Sequence, residues 1–550
     1  MTRRVLVVAV ILMLFLIANR AAVEGYFSDD DLDNLSWATV AGIDSFAREI
    51  VTPEFSKTNT RPTGGLFYRW MGLGFGFAFE RYVPPLFALH FLNCGLLFWL
   101  ARRKGVGEWE ATAACVFFLF HAALLEAWWK PMYIFDLLAA TFCLVTWLLF
   151  GSRYWPWALL SFWLAYKSKE VALFFPVVLA LDQWRRALPF FLISANFGIQ
   201  AMLVNSKRES VYTLRFSPQS FVMTVPFYLK QAVLNKWGAL ILLPLAYVAR
   251  NREFAKAVVG TMALMVPLLF LPGRLFGVYL YVPMLPLTLG LATVFSRVPR
   301  LVLSVGLAGF LLLDYGVLKQ KRKTELALGQ ESRAYVEQLV AAHHNTPIAA
   351  TAYYENAPEG LRLHGMTGAL RLVTGNPAAQ VLDPELESSR LEAQDQDLPT
   401  LSWFRPTQTL TLISHRYGEA KLSRLDFGKS SAGWQLQQGW FDRDGLFRWA
   451  SRRATLRLKG DAEARLLRVR YNNGPLLLSA VKELRVSVLL NGQEIGQSVF
   501  DQPGTPTVDY LLPRSFEGVI EVELRSSPGY RSQEFEQELG VAVFSVELLR

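Results

Sequence analysis

Four aspartates, Asp29, Asp30, Asp31 and Asp33, follow closely on a strongly apolar N-terminal run, in the stretch EGYFSDDDLDNLSWA. Carboxylates gathered at the mouth of a membrane helix can serve in two ways. They can cap a following amphipathic helix, DLDNLSWATVAGIDSFAREI, with Ser28 or Asp29 at its start and the negative charge favoured by the helix dipole. Alternatively, one of them, made more basic by partial burial and by its neighbours, can take a proton from an incoming hydroxyl. The two roles are compatible, because a cap fixes the loop that presents the base.

Further charges recur where other apolar runs end on the same side. TRPTGGLFYRW carries Arg61 and Arg69; FHAALLEAWWKPMYIFD carries His121, Glu126, Lys130 and Asp136; AYKSKEVALF carries Lys167, Lys169 and Glu170. Lys207, Arg208, Arg215, Lys230 and Lys236 follow, and Arg274 precedes LFGVYLYVP. A charge at membrane depth costs about 2.5 to 3.5 kcal/mol on insertion scales unless it is paired or hydrated, so each is a functional candidate, with plain solvation the alternative for any single one. Lys169 and Glu170 lie between two apolar stretches, where solvation is poorest. Carboxylates at one end of a layer with cations around it suit transfer to an acceptor hydroxyl from an anionic leaving group. Arg and Lys would hold a phosphate by charge-assisted hydrogen bonds and offset the charge that grows on it. At this depth the natural anion is a lipid phosphate.

The elements that must position these groups follow from hydropathy. The 550 residues are 52% hydrophobic and 13% aromatic, which is too oily for a soluble enzyme and too long for one ordinary domain. The net charge of +10 sits mostly in short clusters between apolar runs, where it orients helices in a bilayer, so a nucleic-acid partner is not expected. The opening MTRRVLVVAVILMLFLIANRAAV reads as an uncleaved first helix. Further spans are expected near 84–101, 108–126, 131–150, 155–167, 170–183, 187–205, 234–249, 255–272, 275–295 and 300–317, about eleven in all. With the N-terminus in the cytoplasm, the short inner loops carry Arg3 and Arg4, Arg102 to Lys104, Arg153, Arg185 and Arg186, Arg250 and Arg252, and Arg297 and Arg300. Residues 24–83 and everything after about 318 then lie outside. All three cysteines, Cys94, Cys115 and Cys143, fall in apolar runs, which supports neither a disulfide framework nor a zinc knuckle.

Past Lys319 the composition changes. A helix leaving the membrane is followed by a strand, helix, strand unit, and after about residue 409 by ATLRLKG, LLRVRYNN, ELRVSVLLNGQEIG, GVIEVELRS and similar alternating runs separated by turn residues. The expected architecture is a polytopic α-helical membrane domain at 1–318, an extracytoplasmic α/β linker domain at 319–408 and a β-sandwich at 409–550. Trp434, Trp440 and Trp449, with Asp442 beside them, could grip a sugar by stacking and hydrogen bonding, or could form the sandwich core.

The segments YFSDDDLDNL, RPTGGLFYR, HAALLEAWWKPMYIFDLLAA, SKE and LYVP, in this order, resemble the GT-C membrane glycosyltransferases. The likeness is closest to the protein O-mannosyltransferase and tetratricopeptide-linked O-mannosyltransferase branch, with bacterial aminoarabinose transferases more distant, and it covers roughly residues 1–318. The resemblance implies a GT-C-like fold in a bacterial cytoplasmic membrane. It implies transfer of a sugar from a polyprenyl-phosphate carrier to an extracytoplasmic acceptor, a glycan, lipid or protein, with inversion at the anomeric carbon. Its catalytic acidic pair matches Asp29 and Asp30, with Asp30 preferred and Asp31 a register alternative. Its His-Pro-x-x-x-Glu turn matches His121 and Glu126, although Ala122 replaces the proline, and Asp136 falls at a further acidic position. Its Lys-Glu step matches Lys169 and Glu170, and its Tyr-x-Pro matches Tyr281 and Pro283. The Glu-Arg that usually precedes this last motif is missing, which puts phosphate binding by Arg274 in doubt. The expected donor-phosphate ligands are thus Arg61, Arg69, Lys130, Lys169, Arg274 and Tyr281. No cofactor is required by this chemistry, since a monophosphate leaving group has little charge to neutralise; the Asp29–Asp31 run could still hold a divalent cation through oxygen ligands. The alternatives are a transporter or flippase of a lipid-linked sugar and a membrane-anchored glycan-binding protein.

Overall fold

The computed structural model describes residues 2–54, 61–205, 214–234, 251–361, 363–383, 386, 389, 397–416, 419–531 and 538–550. The expected span at 234–249, beyond Leu234, and the basic residues Lys207, Arg208 and Lys236 lie outside the described residues, as does the side chain of Asp442. The chain divides into two compact units, Met1–Arg333 with Glu359–Gly368, and Ala334–Pro358 with Ala369–Arg550.

The first unit is helical. It contains α1 (Thr2–Asn19), α2 (Asp31–Val40), α3 (Ile43–Val51), α4 (Pro62–Phe75), α5 (Val83–Arg103), α6 (Glu108–Phe120), α7 (Leu125–Trp129), α8 (Ile134–Phe150), α9 (Trp155–Ser168), α10 (Phe175–Asn205), α11 (Pro218–Val233), α12 (Arg252–Leu269), α13 (Met284–Phe295) and the start of α14 (Arg300–Asn345). Proline opens several of them, as at Pro62 and Pro218, where its missing N–H costs nothing. Asn251 caps α12 by accepting the Glu253 N–H at 2.9 Å.

Among the described residues four helical segments are long and apolar enough to cross a membrane: Val5–Glu24, Phe79–Arg103, Pro131–Phe150 and Arg300–Asn345. A fifth candidate is the pair of α6 with Ala122–Trp129, bent by 47°. The other expected spans are helical but short or interrupted. α9 has 14 residues, the 275–295 run is split between a 3-10 turn at Gly277–Leu280 and the 12-residue α13, and α10 leaves helical geometry at Gln183, between two of the expected spans. A crossing needs about 20 residues at 1.5 Å each, so the count of about eleven is not reached by helices of spanning length.

The loop expected between the first two spans is itself helical. The single amphipathic helix expected at 31–50 is two, α2 and α3, separated at Ala41 and Gly42. α4 then lies against both and against α8. A Cβ on Gly64 would stand 2.1 Å from the Phe135 ring and one on Gly65 would stand 2.5 Å from Phe46, so only glycine permits this approach. The first unit reaches Arg333, within α14, which is one unbroken helix of 46 residues.

The second unit carries two β layers and a small mixed sheet. The mixed sheet has the order β2-β1-β3-β4, formed by β1 (Thr351–Glu355), β2 (Gln380–Leu382), β3 (Asp397–Phe404) and β4 (Thr409–Arg416), with β1 parallel to β2 and β3. The remaining strands are β5 (Arg424–Asp426), β6 (Trp440–Asp444), β7 (Phe447–Ser451), β8 (Arg453–Lys459), β9 (Leu466–Asn472), β10 (Leu484–Leu490), β11 (Gln493–Phe500), β12 (Thr507–Leu511), β13 (Val519–Ser527), β14 (Tyr530–Arg531) and β15 (Glu538–Leu549). They form antiparallel sheets ordered β11-β10-β13-β8 and β12-β9-β15-β7-β6 around one apolar core, with Leu456, Leu458, Val469, Val486, Val522 and Val543 among its buried members. Strand alternation places such residues inward and the charged ones between them outward.

Candidate functional site

The acidic loop ends on a sharp backbone turn. Asp29 has φ +49°, in the left-handed region that side chains rarely occupy, and its N–H donates to Gly360 O at 2.7 Å. Gly365 and Gly368 lie so close to the backbone of Asp29 and Leu32 that a Cβ on either would collide with it. The three adjacent aspartates therefore have different surroundings.

Asp31 is fully buried. Ser28 N–H donates to its Oδ2 at 3.0 Å and the Tyr68 hydroxyl donates to its Oδ1 at 2.6 Å. Burial pushes its pKa up to about 7, against the opposing pull of Tyr68, the Ser28 amide and Lys130. Both oxygens are committed to closing the turn, so Asp31 is a structural residue and the register alternative that makes it the base is set aside. The cap is also the reverse of the expected one: the side chain of Asp31 receives the Ser28 amide, while Ser28 Oγ, buried, has no hydrogen bond among the described residues. Asp30 occupies the N-cap of α2, half-buried, and its carboxylate makes no hydrogen bond or ion pair among the described residues. Asp29 faces Lys130, with Oδ2 3.6 Å from Nζ.

Lys130 ends the short α7 and is nearly buried. Its ammonium is 2.8 Å from Glu325 on α14, so it lies between two carboxylates and is committed to them, in place of the phosphate contact expected of it. Glu126, one turn earlier, interacts electrostatically with the Tyr133 hydroxyl. Tyr133 then connects this group to a second one, since Lys169 Nζ lies 5.9 Å from its ring centre.

In the second group Lys169 Nζ meets Asp136 at 2.6 Å, and Arg61 Nη2 meets Glu170 at 3.0 Å. Asp136 is 2% exposed. At this distance the direct contact offsets part of the cost of burying the carboxylate and the ammonium. Lys169 also lies 4.8 Å from the centre of the Tyr279 ring, and the Arg274 guanidinium interacts electrostatically with the Tyr279 hydroxyl. Arg61 opens α4 at φ +42° and packs over Phe135; its Nε is buried and has no hydrogen-bond partner among the described residues. Strained backbone at both Asp29 and Arg61 persists only where the surroundings over-determine it.

Several expected site residues lie elsewhere. Arg69 caps the end of α2, donating from Nη1 to the carbonyls of Ala38 (3.4 Å), Thr39 (3.0 Å) and Ala41. That is a favourable place for a cation, at the negative end of a helix, and it removes Arg69 from the phosphate ligands. Tyr281 is fully buried, with its hydroxyl bonded to His90 Nδ1 at 2.7 Å and Asn93 Nδ2 at 3.2 Å, so Tyr279, not Tyr281, faces the cations. His121 accepts the Ala123 N–H at Nδ1 (3.2 Å), which leaves the proton on Nε2 for Ala232 O (3.0 Å); it locks a turn and touches no member of the charged groups. Trp440 and Trp434 are buried, the first in the sandwich core and the second against Tyr353, Leu382 and Leu398, and Trp449 packs against the sandwich core, so neither buried ring is open to a sugar. Among the described residues no three His, Cys, Asp or Glu side chains stand together as a metal site, and each aspartate of the acidic run has its own distinct surroundings.

Three residues of the site were not anticipated: Tyr133, Tyr279 and Glu325. Tyr133 sits inside the KPMYIFD stretch, where an aromatic between Lys130 and Asp136 was the available signal, and Tyr279 sits in LFGVYLYVP, two residues before the tyrosine of the matched Tyr-x-Pro. Glu325 gave none, since it falls past the expected end of the membrane domain.

No family model matches the sequence, and neither does any curated protein. Solved structures similar to the chain include two mycobacterial ones. One is the arabinofuranosyltransferase AftD from Mycobacteria, at 12% identity and a TM-score of 0.40, covering 100% of this chain and 58% of that one. The other is the arabinosyltransferase EmbB from Mycobacterium smegmatis, at 12% identity and a TM-score of 0.35, covering 98% of this chain and 64% of that one. The chain thus spans less than two thirds of the length of these structures.

Proposed function

We propose that the chain is an integral-membrane glycosyltransferase of the GT-C type. It moves a sugar from a polyprenyl-phosphate carrier to an acceptor hydroxyl on the outer face of a bacterial cytoplasmic membrane, with inversion. One observation carries this reading: Asp29, from the first loop, lies 3.6 Å from Lys130, and Tyr133, three residues beyond Lys130, has its ring centre 5.9 Å from Lys169, itself paired with Asp136, so that charges from segments far apart in sequence are drawn together.

In this mechanism the acceptor hydroxyl gives its proton to Asp29, with Asp30 the neighbouring alternative, as its oxygen forms a bond to the anomeric carbon. The bond from that carbon to the lipid-phosphate oxygen breaks on the opposite side. Lys169, Arg61 and Arg274, with the Tyr279 hydroxyl, take up the charge that develops on the phosphate. Asp136 and Glu170 hold the Lys169 ammonium and the Arg61 guanidinium in place before substrate arrives. A positioned base contributes about 10²- to 10⁴-fold to such a step. The test is to replace Asp29 and Asp30 together by Asn and measure release of lipid phosphate from polyprenyl-phosphate sugars. Transfer is expected to disappear while lipid-phosphate binding persists; retained turnover refutes the assignment.

The break between α6 and α7 favours one second reading, since interrupted helices line the substrate sites of transporters. That reading predicts movement of a lipid-linked sugar across proteoliposomes with no acceptor consumed.

A further inference from the structure

One stripe of α14 carries Asp314, Lys321 and Glu325, whose spacings of seven and eleven residues place all three on a single helix face. Each reaches the segment that presents Glu126 and Lys130. Asp314 Oδ1 accepts the Ala122 N–H at 2.7 Å, and Lys321 Nζ donates to the Ala122 carbonyl at 3.2 Å. Both backbone polar groups of one residue, Ala122, at the 47° bend between α6 and α7, are therefore held by side chains of α14. Glu325 then takes the Lys130 ammonium at 2.8 Å, against 3.6 Å from that ammonium to Asp29. Asp314 is 1% exposed and its Oδ2 has no hydrogen bond among the described residues, a costly arrangement to keep on a membrane-spanning helix for packing alone.

We infer that α14 is a working wall of the site: Asp314 and Lys321 fix the turn that aims α7, and Glu325 is a positioning residue that holds Lys130 off Asp29. The inference rests on the glycosyl-transfer reading, in which Asp29 is the base. An ammonium in full contact with Asp29 would stabilise its charged form and make it a poorer proton acceptor, whereas an ammonium shared with Glu325 does so less. The ionisable groups coupled to Lys130 are Asp29 from the first loop, Asp31 from α2, Glu126 from α7, and Lys321 and Glu325 from α14. With Glu325 neutralised, the nearest carboxylate left to Lys130 in ion-pair contact is Asp29.

The experiment measures lipid-phosphate release by the purified full chain across pH. Wild-type turnover comes first: if there is none, it is the glycosyl-transfer reading that fails. Given turnover, Glu325→Gln is expected to lower kcat about ten- to a hundredfold, leave the donor KM within about twofold, and move the acidic limb of the kcat profile to lower pH. Asp314→Leu should lower kcat similarly, and Asp314→Asn, whose Oδ1 can still accept the Ala122 N–H, should recover most of it. Should Glu325→Gln not accumulate as folded protein, Glu325→Asp carries the test, since a carboxylate drawn back by one methylene gives a smaller loss with the same shift of profile. Wild-type kcat and profile in the folded Glu325 variants overturn the inference, as does an Asp314→Asn variant no better than Asp314→Leu.

Discussion

Asp29 and Asp31 stand two positions apart, and only the backbone decides which of them faces the cations. The φ of +49° at Asp29 turns its carboxylate towards Lys130, and the first turn of α2 carries Asp31 inward to Tyr68. A run of aspartates does not announce that turn, so the cluster was legible in the sequence and the choice within it was not. The same holds for Tyr279 and Tyr281, which a 3-10 turn sends in different directions although they share one motif. The buried state of Asp31 has a measurable consequence. Folded, its carboxyl keeps its proton up to about pH 7, far above the 3.8 ordinary for an aspartate. The folded chain thus binds more protons than the unfolded one between these values, and stability falls as pH rises through the window. The thermal midpoint of the wild type should therefore decline from pH 4 to 7. Asp31→Asn cannot ionise and should show a flatter profile over this range, even though its midpoint is lower for the loss of one acceptor; equal slopes in the two proteins would exclude a buried, titrating Asp31.

At the scale of elements, the helical segments and the alternating strands were visible as hydropathy periods, while the three helices of the first loop were not separated. α4 holds the reason: its PTGG start is shaped by contact with residues far away in sequence, and such contacts leave no local period. Gly64 meets Phe135 of α8, and this contact sets where Arg61, three residues earlier, begins the helix. Gly64→Ala would bring a Cβ to 2.1 Å from the Phe135 ring. Overpacking of this kind costs about 1 to 3 kcal/mol, so the thermal midpoint should fall and transfer should weaken with it as Arg61 shifts. Gly74→Ala on the same helix meets nothing within 4 Å and should leave the midpoint unchanged or raise it slightly, since alanine is the better helix former. Adding Phe135→Leu to Gly64→Ala should recover part of the loss. If Gly64→Ala and Gly74→Ala behave alike, the close approach of α4 to α8 is not what the glycine serves.

For the molecule as a whole, the division into a helical unit and a β unit was legible because the composition changes near Lys319, while α14 continues past the end of its apolar stretch to Asn345. Orientation is the property the sequence addresses most directly, through basic residues gathered in alternate short loops. Arg185 and Arg186 lie exposed within α10, just past its break at Gln183, and Leu446 is exposed at the β6–β7 turn. An outer-facing site requires the acidic loop and the chain beyond α14 to share the outer side of the membrane, with Arg186 on the other. A cysteine introduced at Leu446 should thus react with a membrane-impermeant maleimide in intact spheroplasts, while one at Arg186 should react only after the membrane is opened. The native Cys94, Cys115 and Cys143, all within helices of the bundle, supply the background against which both signals are read. The reverse pattern would put the acidic loop in the cytoplasm, where an acceptor from outside could never meet Asp29.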